Sequence, residues 1–191
     1  QLALTGIGLC FPITMTVAAF SALIGYGGAP LSSILRGRKD ADGAERVLGN
    51  SVSALCVLGI LIPLACFFLR RPVLYLFGAS DATFPYADQY ITIYLTGSLP
   101  VMLTLGLNAF INAQGFTRDG MVTVGIGAVL NLALDPLFIF AFHMGIAGAA
   151  VATVISQTVS CLWVLRFLLG KKNLIRLRRK YLRPGWPLLG R

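Results

Sequence analysis

Four long stretches of this sequence are almost free of charge. Residues 1–35, 47–69 and 89–117 contain no Asp, Glu, Lys or Arg, and residues 120–165 contain only Asp135. Runs of 18 or more apolar residues read as membrane-spanning helices, since a helix needs about 20 such residues to cross the hydrocarbon layer. Charged residues are 12% of the 191-residue chain, about half the usual share of a soluble domain. They fall in short clusters instead of along solvated helix faces.

The lengths of these stretches divide into five spans. Residues 4–24 form the first. Gly25, Gly27, Gly28 and Pro30 then predict a break, with residues 31–35 continuing as a short interfacial helix. The cluster from Arg36 to Arg46 is a water-exposed loop. The second span is 47–69, mildly kinked at Pro63 and ended by Arg70, Arg71 and Pro72. A turn-rich loop over 78–86 follows. The third span lies within 89–117 and is expected to kink at Pro100. The segment Gln114–Gly120 is a tight polar connection. The fourth span (121–142) and the fifth (146–169) are joined by a hairpin at His143, Met144 and Gly145.

Positive charge sets the orientation, because loops rich in Lys and Arg stay in the cytoplasm. Alternating the loops puts Arg36, Arg38, Lys39, Arg46, Arg118 and the tail from Lys171 to Arg183 on one side. The other side receives Arg70 and Arg71, with Asp81 and Asp88. The basic loops and the C-terminus are therefore expected inside the cell and the N-terminus outside. An odd span count with an outside start, and ends that look cut, read as a fragment lacking a first span. Residues 1–170 form a partial transmembrane lobe and 171–191 a basic linker. That tail is expected to meet anionic lipid headgroups rather than nucleic acid. Tyr75, Tyr86, Tyr90 and Tyr94 fall near the outer boundary, as an aromatic belt would.

Asp135 is the one carboxylate inside an apolar span. A charge at the bilayer centre costs about 2.5–3.5 kcal/mol on insertion scales, so its side chain must face protein or water. Such a group can exchange a proton or hold a cation; it can also cap a helix broken at Pro136. Asn131 lies one turn earlier on the same face. Asp135 and Thr153 are each nine residues from Met144. Both then sit about 13 Å from the hairpin turn, near mid-membrane on neighbouring helices. Asn131 and Thr153 are also open to plain interhelical or backbone hydrogen bonding. Gly25, Gly27 and Gly28 read as a hinge or a simple break. The small residues Gly145, Gly148, Ala149, Ala150 and Ala152 read as a close-packing surface. Asn108, Asn112 and Gln114 lie near the inner end of the third span, where they could line a cavity or simply be solvated.

Nothing in the chain forms a catalytic set, so an enzyme is not expected. It has one His, no paired carboxylates within the spans and no phosphate-binding glycine loop. Cys10, Cys56, Cys66 and Cys161 all lie in apolar runs, outside any CxxC pair, and read as buried hydrophobes. No cofactor or metal is expected.

Several segments in order resemble the MATE (multidrug and toxic compound extrusion) transporters. These are GYGGAPLSSILRGRKDADGAERVLGNS, LFGASDATFPYADQYITIY, NAQGFTRDGM and GAVLNLALDPLFIFAFHMGIAGAAVATVISQ. The last is the most specific, joining Asn-x-x-x-Asp-Pro to Gly-Ala-Ala-x-Ala-Thr. The resemblance implies an all-α polytopic bundle in which the five spans are the second to sixth of a six-helix amino-terminal lobe. A second lobe of the same chain would pair with it across a central cavity. It also implies export of organic cations or other drugs against inward Na⁺ or H⁺ at the cell membrane. On motif positions it places a cation or proton site at Asn131, Asp135 and Thr153. A lipid or glycan-precursor flippase of the same superfamily, and an inactive membrane fragment, are the alternative expectations.

Overall fold

The computed structural model describes residues 2–170, 173–175 and 177. Most of the basic tail, including Lys171, Lys172 and Arg178 to Arg183, lies outside the described residues, as does most of the linker expected over 171–191.

Among the described residues, seven α-helices run in chain order: α1 (Leu2–Leu9), α2 (Phe11–Gly37), α3 (Ala41–Leu76), α4 (Phe84–Thr96), α5 (Ser98–Ala113), α6 (Thr117–Pro136) and α7 (Gly145–Leu169). One π-helical turn, Leu137–Ala141, extends α6. The α6–π unit and α2, α3 and α7 are each long and apolar enough to cross a membrane, and the bent pair of α4 and α5, taken as one span, brings the number among the described residues to five. The fold is the expected all-α bundle of membrane-length helices.

The core is built around α5, which packs against α2, α3, α6 and α7. Its buried residues Met102, Leu107, Phe110 and Ile111 meet Leu48 and Leu55 of α3 and Val164 and Leu168 of α7 in one apolar cluster. The outer surface is apolar as well. Phe68, Leu76, Met121, Leu132 and Phe140 are each more than 70% exposed. Exposed apolar area on that scale suits a lipid solvent and marks a multi-pass membrane protein. In lipid, helices associate through close packing more than through water exclusion. Such packing is visible at Gly25, where a Cβ would lie 2.7 Å from the Gly106 carbonyl oxygen. The same holds at Gly148 of α7, where a Cβ would lie 2.8 Å from the Phe138 backbone.

The two ends of the bundle differ. At the basic end, Asp40 caps α3 by accepting from the Gly43 N–H at 2.8 Å, and Ser33 donates to the Ala113 carbonyl at 3.2 Å. At the opposite end, Arg70 Nε donates to Asp88 Oδ1 at 2.6 Å and joins α3 to α4. The turn from α6 into α7 also lies there, with His143 and Gly145 at φ 54° and 55°.

Four sequence expectations need correction. The break over Gly25–Pro30 is absent: α2 runs unbroken from Phe11 to Gly37, so residues 31–35 are its last turns. The first span breaks earlier, at Cys10, whose thiol donates to the Ala87 carbonyl oxygen at 3.3 Å. Arg70, Arg71 and Pro72 do not end α3, which continues to Leu76; Arg70 finds its counter-charge in Asp88. The bend of the third span is 59°, and it falls at Gly97, not Pro100. A proline lacks an N–H and crowds the carbonyl four residues earlier, so the helix yields on its N-terminal side.

Candidate functional site

Asp135 stands on the last turn of α6, directly before Pro136 and the π-helical turn. A proline there cannot supply the N–H of a regular α-helical bond, and the backbone widens. The Phe142 N–H reaches back five residues to the Leu137 carbonyl. The carboxylate therefore sits where the helix changes character.

Asn131, one turn before, presents its amide to two partners. Nδ2 donates to Asp135 Oδ1 at 3.4 Å and to Thr153 Oγ1 of α7 at 3.4 Å. Both distances are long for such bonds, so each is weak and easily exchanged. Thr153 Oγ1 donates its own proton to the Ala149 carbonyl at 3.0 Å. That leaves its lone pairs to accept. The backbone bond expected as one alternative for Thr153 and the interhelical hydrogen bond expected as one alternative for Asn131 are both present. One amide thus touches a residue on its own helix and one on the neighbouring helix.

The three side chains are half-buried. Among the described residues Asp135 has no ion-pair partner. A carboxylate oxygen and a hydroxyl oxygen flank the Asn131 amide N–H here, and hard oxygen donors of this kind suit Na⁺ or an exchangeable proton. The set is too sparse for a permanent metal centre, and no group of three His, Cys, Asp or Glu side chains occurs among the described residues.

Tyr90 lies on α4, which packs against α7, and its ring stacks on Tyr94 with centroids 6.2 Å apart. Tyr94 is buried in the core, so neither ring serves the outer belt at which both were placed. Tyr75 and Tyr86 are exposed near the Asp81 end and fit that role. The available signal for Tyr90 was its spacing from Tyr94, one helical turn, which puts both on one face.

The glycines Gly25, Gly27 and Gly28 stand apart from this cluster, on α2. Gly28 packs against Phe110 and Ser51, while Gly27 has nothing near its α-carbon. All four cysteines are free thiols, buried or half-buried as expected.

Comparison with known proteins matches this arrangement to one family. The family described as MatE matches over residues 1–137. The chain is 29% identical over 186 residues to the multidrug export protein MepA of Staphylococcus saprophyticus, covering 97% of this chain and 41% of that protein. It is 31% identical over 161 residues to the probable multidrug resistance protein YpnP of Bacillus subtilis, covering 83% and 36%. Among solved structures it superposes on an inward-facing multidrug resistance MATE family transporter of the MOP superfamily. The TM-score there is 0.93 at 25% identity, over 99% of this chain and 43% of that one. The chain thus spans about 40% of the length of the relatives it matches. With the fold, the span order and nearly three-quarters of its length matched, the chain belongs to the MatE family, a family of transporters and not of enzymes.

Proposed function

We propose that this chain forms most of the amino-terminal lobe of a secondary antiporter that exports drugs or organic cations in exchange for Na⁺ or H⁺. The observation that carries the reading is the cluster of Asn131, Asp135 and Thr153 at mid-span, joined across α6 and α7. The relatives' names, multidrug export and multidrug resistance, support the substrate class.

In this mechanism Asp135 takes a proton or Na⁺ from the outer side. Neutralising it relieves a cost of about 2.5–3.5 kcal/mol for a charge within the membrane. That difference changes the ratio of two lobe packings roughly a hundredfold. The Asn131 amide N–H holds the carboxylate in place, and Thr153 supplies a further oxygen. A second lobe of the same chain closes the cavity, and residues 171–191 link the two. Gly27, with open space around it, is where α2 flexes as the lobe rearranges. The end carrying Arg36, Arg38, Lys39 and Arg118 faces the cytoplasm in the cell membrane, where the basic tail meets anionic lipid.

The test is ethidium efflux from cells expressing the complete protein, under separately imposed Na⁺ and proton gradients. One gradient should drive efflux, and Asp135→Asn should abolish that drive while leaving membrane insertion normal. Efflux unaffected by either gradient, from a properly inserted protein, would sink the antiport reading.

A further inference from the structure

A cleft opens between α3 and α4. α3 runs unbroken from Ala41 to Leu76 and packs against both α4 and α5. Those two are bent by 59° at Gly97. One unbroken helix cannot lie flush along both arms of a bent one, so a wedge-shaped gap is left. Its inner part holds about 340 Å³ and is walled by Ile60, Leu64 and Phe67 of α3 and by Leu95, Thr96 and Leu99 opposite. It closes where Gly59 meets the Leu99 side chain, since a Cβ on Gly59 would stand 2.6 Å from Leu99 Cδ1. Toward the Asp88 end the cleft widens to a part of about 420 Å³, where Phe68, Arg70, Arg71, Phe84 and Asp88 line it. Phe67 borders both parts, so they adjoin.

The two parts differ in chemistry. The inner one is mostly apolar, and Ile60, Leu64 and Phe67 are exposed. The wider one carries charge. Arg70 and Asp88 pair at 2.6 Å and cancel. Arg71 is exposed and has no ion-pair partner among the described residues. Asp81, another acid at this end, accepts from the Tyr75 hydroxyl at 2.7 Å. The Arg71 guanidinium stands 5.9 Å from the centre of the Phe84 ring, which stacks on Tyr75 at 5.3 Å. One uncancelled positive charge therefore stands at the mouth of an apolar cleft. From Arg71 to Gly59 is twelve residues, about 18 Å of helix. One leaflet of hydrocarbon is about 15 Å deep, half of the full core.

We propose that this cleft seats an anionic phospholipid such as phosphatidylglycerol, its phosphate on Arg71 and one acyl chain along Ile60, Leu64 and Phe67. A cation at the interface, apolar walls beneath it and a floor one leaflet down match the parts of a single lipid. A zwitterionic headgroup would bring its own cation beside Arg71, and a soluble anion would leave the apolar part unfilled. The seated lipid is a wedge between α3 and α4 above the bend. The site is separate from Asp135 and does not depend on the antiport reading.

Quenching by lipids brominated on their acyl chains reads contact at one position. The complete protein, with its native tryptophans replaced by Phe, carries a single Phe67→Trp or Leu69→Trp in nanodiscs of phosphatidylcholine. Leu69 is exposed and two residues further along, on the other side of α3. Brominated phosphatidylglycerol, or brominated phosphatidylcholine with the same chains, is included in rising proportion. At Phe67→Trp, half-maximal quenching should need about fivefold less phosphatidylglycerol than phosphatidylcholine, the gain expected from one basic group near a membrane surface. At Leu69→Trp the two lipids should quench alike. Arg71→Gln should remove the preference. Thr96→Phe, which fills the inner part from an exposed position, should weaken quenching of Phe67→Trp by phosphatidylglycerol. Equal quenching by the two lipids at Phe67→Trp would overturn the site, as would the same preference at Leu69→Trp. A preference that survives Arg71→Gln overturns the part given to Arg71, and quenching untouched by Thr96→Phe overturns the placement of the chain. No quenching at Phe67→Trp by either lipid would mean that another segment of the protein covers the cleft, and the proposal falls.

Discussion

Asn131 and Thr153 meet at 3.4 Å although 22 residues of chain separate them. The contact exists because α6 and α7 pack as a hairpin with its turn at Met144, with Asn131 thirteen residues before the turn and Thr153 nine after it. It is a weak bond in a weakly coupled trio, as the binding and release proposed for Asp135 would require.

Thr153→Val tests whether the contact is structural or functional. Valine keeps the shape and removes the hydroxyl. Hydrogen bonds between membrane helices are worth about 0.6 kcal/mol on average, so the melting temperature in detergent should move little. Ion-driven efflux should fall about tenfold or more, the usual effect of losing an oxygen that serves a cation site. A variant that transports normally would return Thr153 to a packing role.

How far the sequence reveals this site depends on the residue. Asp135 is legible because charge inside a span is costly, and Thr153 is legible from hairpin symmetry alone. The inward packing of Tyr90 and Tyr94 is not, because it depends on how α4 meets α7. Gly25 and Gly28 mislead for a related reason. A run of glycines signals either a chain break or a close approach, and only the partner decides. Here the partners are Gly106 and Phe110, some 80 residues away on α5. The break at Cys10 is likewise tertiary, since its thiol is drawn to the backbone of α4.

Gly97 lets α4 and α7 touch. A Cβ placed on it would overlap the methyl groups of Val154. Gly97→Leu should therefore lower stability by about 1–3 kcal/mol through overpacking. Gly97→Ala should be milder, and Val154→Ala should rescue it in the double variant. Thermal unfolding of the four proteins in one detergent reads the result; additive losses with no rescue would contradict the contact.

Arg70 makes the strongest polar bond at the Asp88 end. Its guanidinium also lies 4.0 Å from the centre of the Phe67 ring. The Arg70 and Asp88 side chains are 28% and 29% exposed, so water and salt screen the pair only partly. A double-mutant cycle with Arg70→Ala and Asp88→Ala should give a coupling of about 1 kcal/mol, at the upper end for partly exposed pairs. A coupling near zero would mean that the pair follows the packing of α3 on α4 and does not help hold it.

Gln114 does for the segment after α7 what no apolar residue at its position could do. Its Oε1 accepts the Ile175 N–H at 3.1 Å, and its Nε2 donates to the Phe110 carbonyl at 3.2 Å. Ile175 is only 2% exposed and joins the core cluster, and the Leu177 N–H reaches the Leu168 carbonyl at 3.3 Å. Asn173 bonds back to the Phe167 carbonyl. At Ile175 the chain beyond α7 thus packs against the end of α5, with the Gln114 side chain accepting its N–H. Gln114→Leu keeps the volume but strands a buried backbone N–H, at a cost of about 1–3 kcal/mol. Amide exchange over residues 173–177 should then speed up about tenfold or more, with little change inside α5 and α7. Gln114→Glu preserves the accepting oxygen and should keep most of the protection. If both variants exchange alike, burial of Ile175 holds the segment and the side-chain bond does not.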